Sequence, residues 1–581
     1  MRRVLYATVS ILLTSVGCGG GSNRVPTQPS PQIHITIRPV SATVPVGTIQ
    51  PFVAFVSGAA GRPVMWTTSA GTIDQSGNYT APSSVPQGGN ATVTATITGS
   101  PSAAASATVA ITLQPVTLSI APSTATLKAG FSAVYTANVG GTTNTSVSWS
   151  VADLSGDSTY PGFMAGPTYI APSPLFAPDS FTVSAVSNAD PTKTASALVN
   201  VIPLENQELQ ASPIKLGASG INANTGDCCS GTLGSLLVDQ KGKHYILSNN
   251  HVMGRVGHAA QGEAVVQPGY VDTLCDFTLP KTVANFSIAP PITSSNVDAA
   301  IAQVVPGAVD DQGEIIGLGG IANDGSYIPA APANTTVAAA IGMSVAKSGR
   351  TTGLTCGKVL ATNGTFFIDV PTECGNTTEI TVSFRGQVIM GSIARPGDSG
   401  SLIVEAGTAR PMALLAAGSA DGQFTAANPV TDVLAALKAS TGSTFRFVGS
   451  GQHSVSCSGV TGAAQRSSLL EPANAASSFI PAERIAHAMD VQWKYENELM
   501  LDPAVIGIAI GRNEDDPQQP SLVVFVEAGK APKHLPPALD GVAVRLIPSG
   551  RFRANLRSFS VTGGKCTAQK RFRALESPEQ H

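Results

Sequence analysis

The chain has 581 residues, room for about four domains, with 34 basic and 37 acidic side chains and a formal net charge of −3. Only 12% of residues are charged, about half the usual share of roughly 25%, which argues against charge-driven disorder and against a basic nucleic-acid-binding surface. Collagen is excluded, since the 59 Gly and 41 Pro follow no G-X-Y period. With many Ser, Thr and Val between them, they point to exported, mainly β domains.

Arg2 and Arg3 precede a mostly apolar run, Val4 to Val16. At about 13 residues it is too short for a transmembrane helix, which needs about 20, and reads as the core of an export signal. It ends in Ser15-Val16-Gly17-Cys18, followed by a Gly/Ser/Pro-rich stretch with the composition of a flexible tether. This ending resembles a bacterial lipoprotein box with Cys18 as the acylated residue. Ser15 departs from the Leu usual there. Ordinary signal-peptidase cleavage after small residues is the other reading. The resemblance implies a lipid-anchored protein of the bacterial cell envelope, held at the outer membrane because Gly19 replaces the Asp often used for inner-membrane retention.

The front third repeats itself. Pro39 and Pro122 are 83 residues apart, as are Trp66 and Trp149, and Tyr79-Thr80-Ala81-Pro82 returns as Tyr169-Ile170-Ala171-Pro172 after a seven-residue insertion. In Ala91 to Thr98 apolar and polar residues alternate, the period of a half-buried strand. Two packed sheets per repeat would bury these faces around Trp66 and Trp149. Ser41-Ala-Thr-Val44, Val64-Met-Trp-Thr67 and Gly71 to Pro82 resemble bacterial immunoglobulin-like domains of group 2, which implies spacer or adhesion modules.

Beyond a polar linker at 204–217 the chemistry changes. Two strand-like runs flank the turn Gln240-Lys-Gly-Lys243, and the second ends at His251. Asn296-Val-Asp298-Ala-Ala-Ile places an acid at the entrance to an apolar run, and Gly397-Asp398-Ser399-Gly400-Ser401 places a serine between glycines before another. Nucleophilic catalysis by serine needs a base within hydrogen-bond reach and an acid to fix the base's tautomer. His251, Asp298 and Ser399 supply those types, and the backbone N–H groups of Gly397 and Ser399 could hold an oxyanion. Asp398 adjoins Ser399 and is expected to be structural. His244, His251 and His258 recur every seven residues, which puts neighbours on opposite faces of a strand, so no metal site is expected.

These segments, with Val345 to Val359, resemble trypsin-like serine proteases of the chymotrypsin fold, including streptogrisin and a bacterial and plant group that contains the rice narrow-leaf protein. The resemblance implies a double β-barrel over 218–450, a serine endopeptidase acting through an acyl-enzyme on a protein or peptide substrate, and no cofactor. It places the specificity pocket at Ile393, Ala416, Ala417 and Gly418. Ile393 stands where trypsin has an acid, so the pocket is expected to be small or apolar. Ala416 lacks a hydroxyl that often supports the catalytic Asp, and Ala346 replaces a cysteine that streptogrisin-like enzymes pair with the residue matching Cys356. The alternative is a non-catalytic adhesin or binding lipoprotein with a degenerate protease-like domain.

Of the eight cysteines, Cys18 is expected to carry lipid, and Cys356 with Cys374 is the expected disulfide because the stretch between them reads as a hairpin. Residues 451–480 read as a linker. Pro481 opens a predicted helix to about Leu499, with Ile485, Met489 and Trp493 spaced by four as its apolar stripe. Strands are predicted at Val505 to Ile510, Leu522 to Val526 and Val542 to Leu546. Arg551 to Arg573 carries seven basic and no acidic residues. That run reads as a solvated tail, or as a segment that docks on anionic polymers or regulates the cleft. The expected order is a signal peptide (1–17), a tether (18–32), two immunoglobulin-like β-sandwiches (33–113 and 114–203), the linker (204–217), the double β-barrel (218–450), the second linker (451–480) and a small α+β domain (481–573).

Overall fold

A computed structural model describes residues 32–559, except 60, 155–160, 173–174, 176–177, 323–325, 377, 458–479, 533–534 and 555. The expected signal peptide, Cys18 and Cys566 lie outside the described residues. Among those described, no helix is long and apolar enough to cross a membrane. The protein is mainly β.

Contacts divide the chain into two compact units, one reaching Thr117 and including Val139–Thr145, the other formed by Leu118–Asn138 and the chain from Ser146 onward. The first contains a β-sandwich. One sheet runs Ser41–Pro45, Ser100–Thr112, Asn90–Ile97, Val64–Thr68, and the facing sheet Ile49–Pro51, Asn78–Thr80, Thr72–Ile73. The alternation read in the sequence is the burial pattern observed: Ala91, Val93, Ala95 and Ile97 point inward, while the intervening threonines are wholly or partly exposed. The second unit begins with the same arrangement, Thr124–Lys128, Thr194–Ile202, Asp179–Ser187, Val147–Asp153 against Ser132–Val134, Thr168–Ile170, Phe163–Ala165. The repeated tyrosine is among the buried rings of each core, beside Phe52 in the first and Tyr135 and Phe181 in the second. Tyr79 and Tyr169 are fully buried, whereas Trp66 and Trp149, the expected core residues, are half-buried at the margin. Each tyrosine hydroxyl donates to a backbone carbonyl, Tyr79 to Ala70 at 3.0 Å and Tyr169 to Pro161 at 2.9 Å.

Two larger sheets fill the rest of the second unit. The first runs Phe445–Phe447, Ser235–Asp239, His244–Ser248, Ala300–Val304, Lys281–Ile288, Ala264–Gln267, Ala218–Asn222, Cys228–Leu233, Arg557–Phe559. The other begins Ser344–Gly349, Leu402–Glu405, Pro411–Ser419, Phe424–Pro429, Glu379–Gly391, Gly353–Pro371. Ser344–Gly349 also pairs with Gly353–Pro371, so these six strands close into a ring.

The sequence reading set 481–573 apart, but its strands belong to this second sheet. Val505–Arg512 pairs with Gly353–Pro371 and continues through Pro520–Glu527 to Val542–Ser549. All eight residues of Val505–Arg512 are buried, as expected for apolar strands covered on both faces. The helix Ala482–Met500 packs on them with Ala488, Val491 and Leu499. The expected stripe is corrected: Ile485 is partly buried, but Met489 is 39% and Trp493 77% exposed. The helix's inner face is rotated because Gln492 donates to the Asn363 carbonyl at 2.8 Å and Glu496 accepts from Thr365 at 3.0 Å.

Among the described residues there are three disulfides: Cys228–Cys275, Cys229–Cys374 and Cys356–Cys457. The expected Cys356–Cys374 bond is therefore wrong. Cys356 joins the segment after Phe445–Phe447, and Cys374 reaches across to the first large sheet.

Candidate functional site

His244–Ser248 and Ala300–Val304 are antiparallel neighbours with Ser248 opposite Ala300. This register brings the residues just beyond the ends of both strands together. His251 lies in a short helical turn, Asn250–Gly254, three residues past the strand it was expected to end. Its Nδ1 contacts Asp298 Oδ2 closely, and its backbone N–H donates to Asp298 Oδ1 at 3.2 Å. Asn249 donates to the Asp298 carbonyl at 2.6 Å, and the Asp298 N–H donates to Asn428 Oδ1 at 3.0 Å. Asn249 and Asn428, which no sequence signal singled out, thus hold the acid from both sides.

The serine loop is seated by different groups. Thr232 donates from its N–H to the Ser399 carbonyl at 2.9 Å and from its hydroxyl to the Gly397 carbonyl at 2.9 Å. The Gly400 N–H donates to Leu415 at 3.0 Å. Gly397 and Gly400 have φ of +98° and +94°, a conformation open to glycine. A side chain on Gly234 would strike the Gly400 carbonyl, so this loop and the Cys228–Leu233 strand approach backbone to backbone.

Asp398 is the organiser of the loop. Its carboxylate accepts from the N–H groups of Thr351 (2.8 Å), Thr352 (3.1 Å) and Arg395 (2.9 Å) and from the Thr352 hydroxyl (2.7 Å). Lys347 Nζ lies 3.2 Å away, and both side chains are fully buried. Burial pushes the Lys347 ammonium pKa down from its ordinary value, against the pull of Asp398.

His251, Asp298 and Ser399 are 4%, 1% and 3% exposed. His251 Nε2 is buried and has no hydrogen-bond partner among the described residues. Ile393, Ala416 and Ala417 are buried and apolar, and Gly418 is half-buried. Among the described residues no group of three or more His, Cys, Asp or Glu side chains could hold a metal ion.

A feature the sequence reading did not foresee covers this region. Phe552–Arg553 pairs antiparallel with Gly418, the last of the expected pocket residues, and with Ser419. On its other side it pairs with Ile368 and Asp369. The chain then reaches Arg557–Phe559, which pairs with Cys228–Ser230 on the first large sheet. The basic run from Arg551, expected as a solvated tail, is thus a built part of the fold as far as residue 559. The signal was present in Arg551-Phe552-Arg553-Ala554, where charged and small or apolar residues alternate.

No protein-family model and no curated protein matches the chain. Solved structures similar to it include the N-terminal four Ig domains of Dscam1 isoform 9.44 (13% identity, 29% of this chain and 45% of that one, TM-score 0.16). Mouse clustered PcdhgC3 EC1-3 is similar at 12% identity (30% and 68% covered, TM-score 0.16), and the Yersinia pseudotuberculosis adhesin InvE at 13% (31% and 60%, TM-score 0.13). The chain spans less than half the length of the Dscam1 fragment. The expectation of a trypsin-like serine endopeptidase is corrected accordingly. None of the structures named is a protease and no family model matches, so the terms hydrolase and proteolysis have no support from them.

Proposed function

We propose that this chain is an exported surface-binding protein of adhesin type, anchored to the bacterial outer membrane through lipid on Cys18. Two immunoglobulin-like sandwiches serve as the stalk. The two large sheets form a degenerate double barrel that recognises a protein ligand without turnover. His251, Asp298 and Ser399, with Gly397 and the apolar residues Ile393, Ala416 and Ala417, belong to its recognition cleft. The observation that carries this reading is the buried His251 Nε2 without a partner. Turnover requires the base to take the serine proton and requires water to reach an acyl-enzyme, and here the base makes no such bond and lies under protein. Ala416, which stands where the resembled enzymes often have a hydroxyl supporting the acid, favours the same reading.

The test is active-site labelling of the chain from Gly19 with a fluorophosphonate probe, mapped by mass spectrometry, with His251→Ala and Ser399→Ala alongside. The expected result is no Ser399 adduct on folded protein that still attaches to protein-coated surfaces. A Ser399 adduct that depends on His251 would overturn the proposal.

A further inference from the structure

We infer that the run formed by residues 550–554 and 556–559 is an intramolecular strap that occupies the recognition cleft and must be released before an extended peptide of a partner protein can enter. This rests on the binding reading above and adds its regulation.

The strap joins edges on both large sheets. At one end the Ala420 N–H donates to the Arg551 carbonyl at 2.9 Å, Gly550 donates to Asp421 at 2.8 Å, and Ala554 donates to the Asp369 carbonyl at 2.9 Å. At the other end the backbone of Arg557–Phe559 adds to the Cys228–Ser230 edge. Between them, Leu556 packs against the cluster that contains Val252, the residue after His251. With the strap displaced, the strand edges at Gly418–Ser419, Ile368–Asp369 and Cys228–Ser230 would lose their partner, and unpaired edges recruit an extended peptide.

The side chains state which peptide fits. Phe552 is fully buried, with ring centroids 4.8 Å from Phe366 and 6.2 Å from Phe525. Arg551 forms a two-pronged pair with Asp369, at 2.9 and 3.2 Å, and lies 3.5 Å from Glu527. Arg553 lies 3.7 Å from Glu379. The cleft therefore reads an aromatic anchor flanked by arginines, apolar contact in the middle and carboxylates at the sides. The strap is short, with Phe552 and Ala554 as its buried anchors, and its ion pairs involve partly exposed arginines and are individually weak. Local release is thus less costly than opening either sheet.

The experiment uses the soluble full chain as wild type, as Arg551→Ala, and as the pair Gly418→Cys with Arg553→Cys, which faces two cysteines across the strap. Backbone hydrogen exchange is followed at residues 551–554 and 418–420. A fluorescent synthetic peptide with the sequence of residues 550–559 reports entry. The expected results are at least tenfold faster exchange in both runs for Arg551→Ala, peptide binding at least tenfold tighter than in wild type, and no binding to the oxidised double-cysteine protein until it is reduced. Unchanged exchange in folded Arg551→Ala, or equal peptide binding by the locked protein, would overturn the strap. Fluorophosphonate labelling of Arg551→Ala separates the two proposals, since a Ser399 adduct there would sink the binding reading and leave the strap standing.

Discussion

Lys347→Met tests the account of the serine loop most directly. Lys347 and Asp398 lie 3.2 Å apart with fully buried side chains, and at an effective dielectric near 20 their attraction is about 5 kcal/mol. The ammonium's own desolvation offsets part of this, and removing one member of a buried pair typically costs about 3–5 kcal/mol because a bare charge remains. Asp398 would not be bare, since four hydrogen bonds from Thr351, Thr352 and Arg395 remain. The expected loss is therefore about 2–4 kcal/mol, at the lower side of that range. Thr352→Val, which removes one of those bonds and the hydroxyl that accepts from Lys347, should cost about 1–2 kcal/mol. Urea denaturation at pH 7 measures both, with hydrogen exchange at 395–401 showing whether the loss is local to the loop. If Thr352→Val costs as much as Lys347→Met, or if Lys347→Met is within 0.5 kcal/mol of wild type (about the scatter of a neutral surface change), the loop is not organised by this ion pair.

Gly234→Val should unfold the serine loop, because any side chain there meets the Gly400 carbonyl; near-UV circular dichroism and a lowered melting temperature would show it, and an unchanged Tm would refute the close approach. Burial pushes the Asp369 carboxyl up, but hydrogen bonds from Arg551 and Thr381 outweigh it and hold it below the ordinary value. Its contribution is therefore present above the unfolded pKa near 3.9 and is lost as pH falls through the lower folded value. The stability difference between wild type and Arg551→Ala should accordingly shrink between pH 5 and pH 2, and a difference independent of pH would count against the pair. Replacing Cys356 and Cys457 by serine removes a crosslink spanning 101 residues and should cost about 2–5 kcal/mol, read as an earlier urea midpoint.

Much of the architecture could be read from side-chain periodicity, and the failures have physical causes. Alternation in Ala91 to Thr98 gave the sandwich faces, since one face is wet and one dry. It did not choose between tyrosine and tryptophan for the centre, which depends on how far each ring sits from the sheet margin. The closeness of His251 and Asp298 followed from their motifs, but Asn249 and Asn428 act through backbone groups, and ordinary asparagines carry no pattern. Val505 to Ile510 announced a buried strand without naming its neighbour, because a strand covered on both faces has the same composition in any sheet. Met489 and Trp493 have helical spacing, yet Gln492 and Glu496 find partners on the strand beneath and turn the helix away from the apolar stripe. The cysteine pairing was lost because Cys457 lies far from Cys356 along the chain. The strap was hidden by its charge, which spoke for water until Asp369, Glu379 and Glu527 were seen beside it.

In both sandwiches the first strand of the larger sheet pairs in parallel with the last, Ser41–Pro45 with Thr108 to Thr112 and Thr124–Lys128 with Leu198 to Ile202. Tension applied through the two ends of such a module pulls these strands along their own length in opposite directions. All the bonds of the five-residue register then carry the force together, instead of opening one at a time as in an unzipped hairpin. Under the binding role proposed above, this seam would carry the load when a captured ligand is tugged. Single-molecule pulling should show one abrupt high-force rupture per sandwich, whereas a gradual low-force extension would mean that the parallel seam does not govern the mechanics.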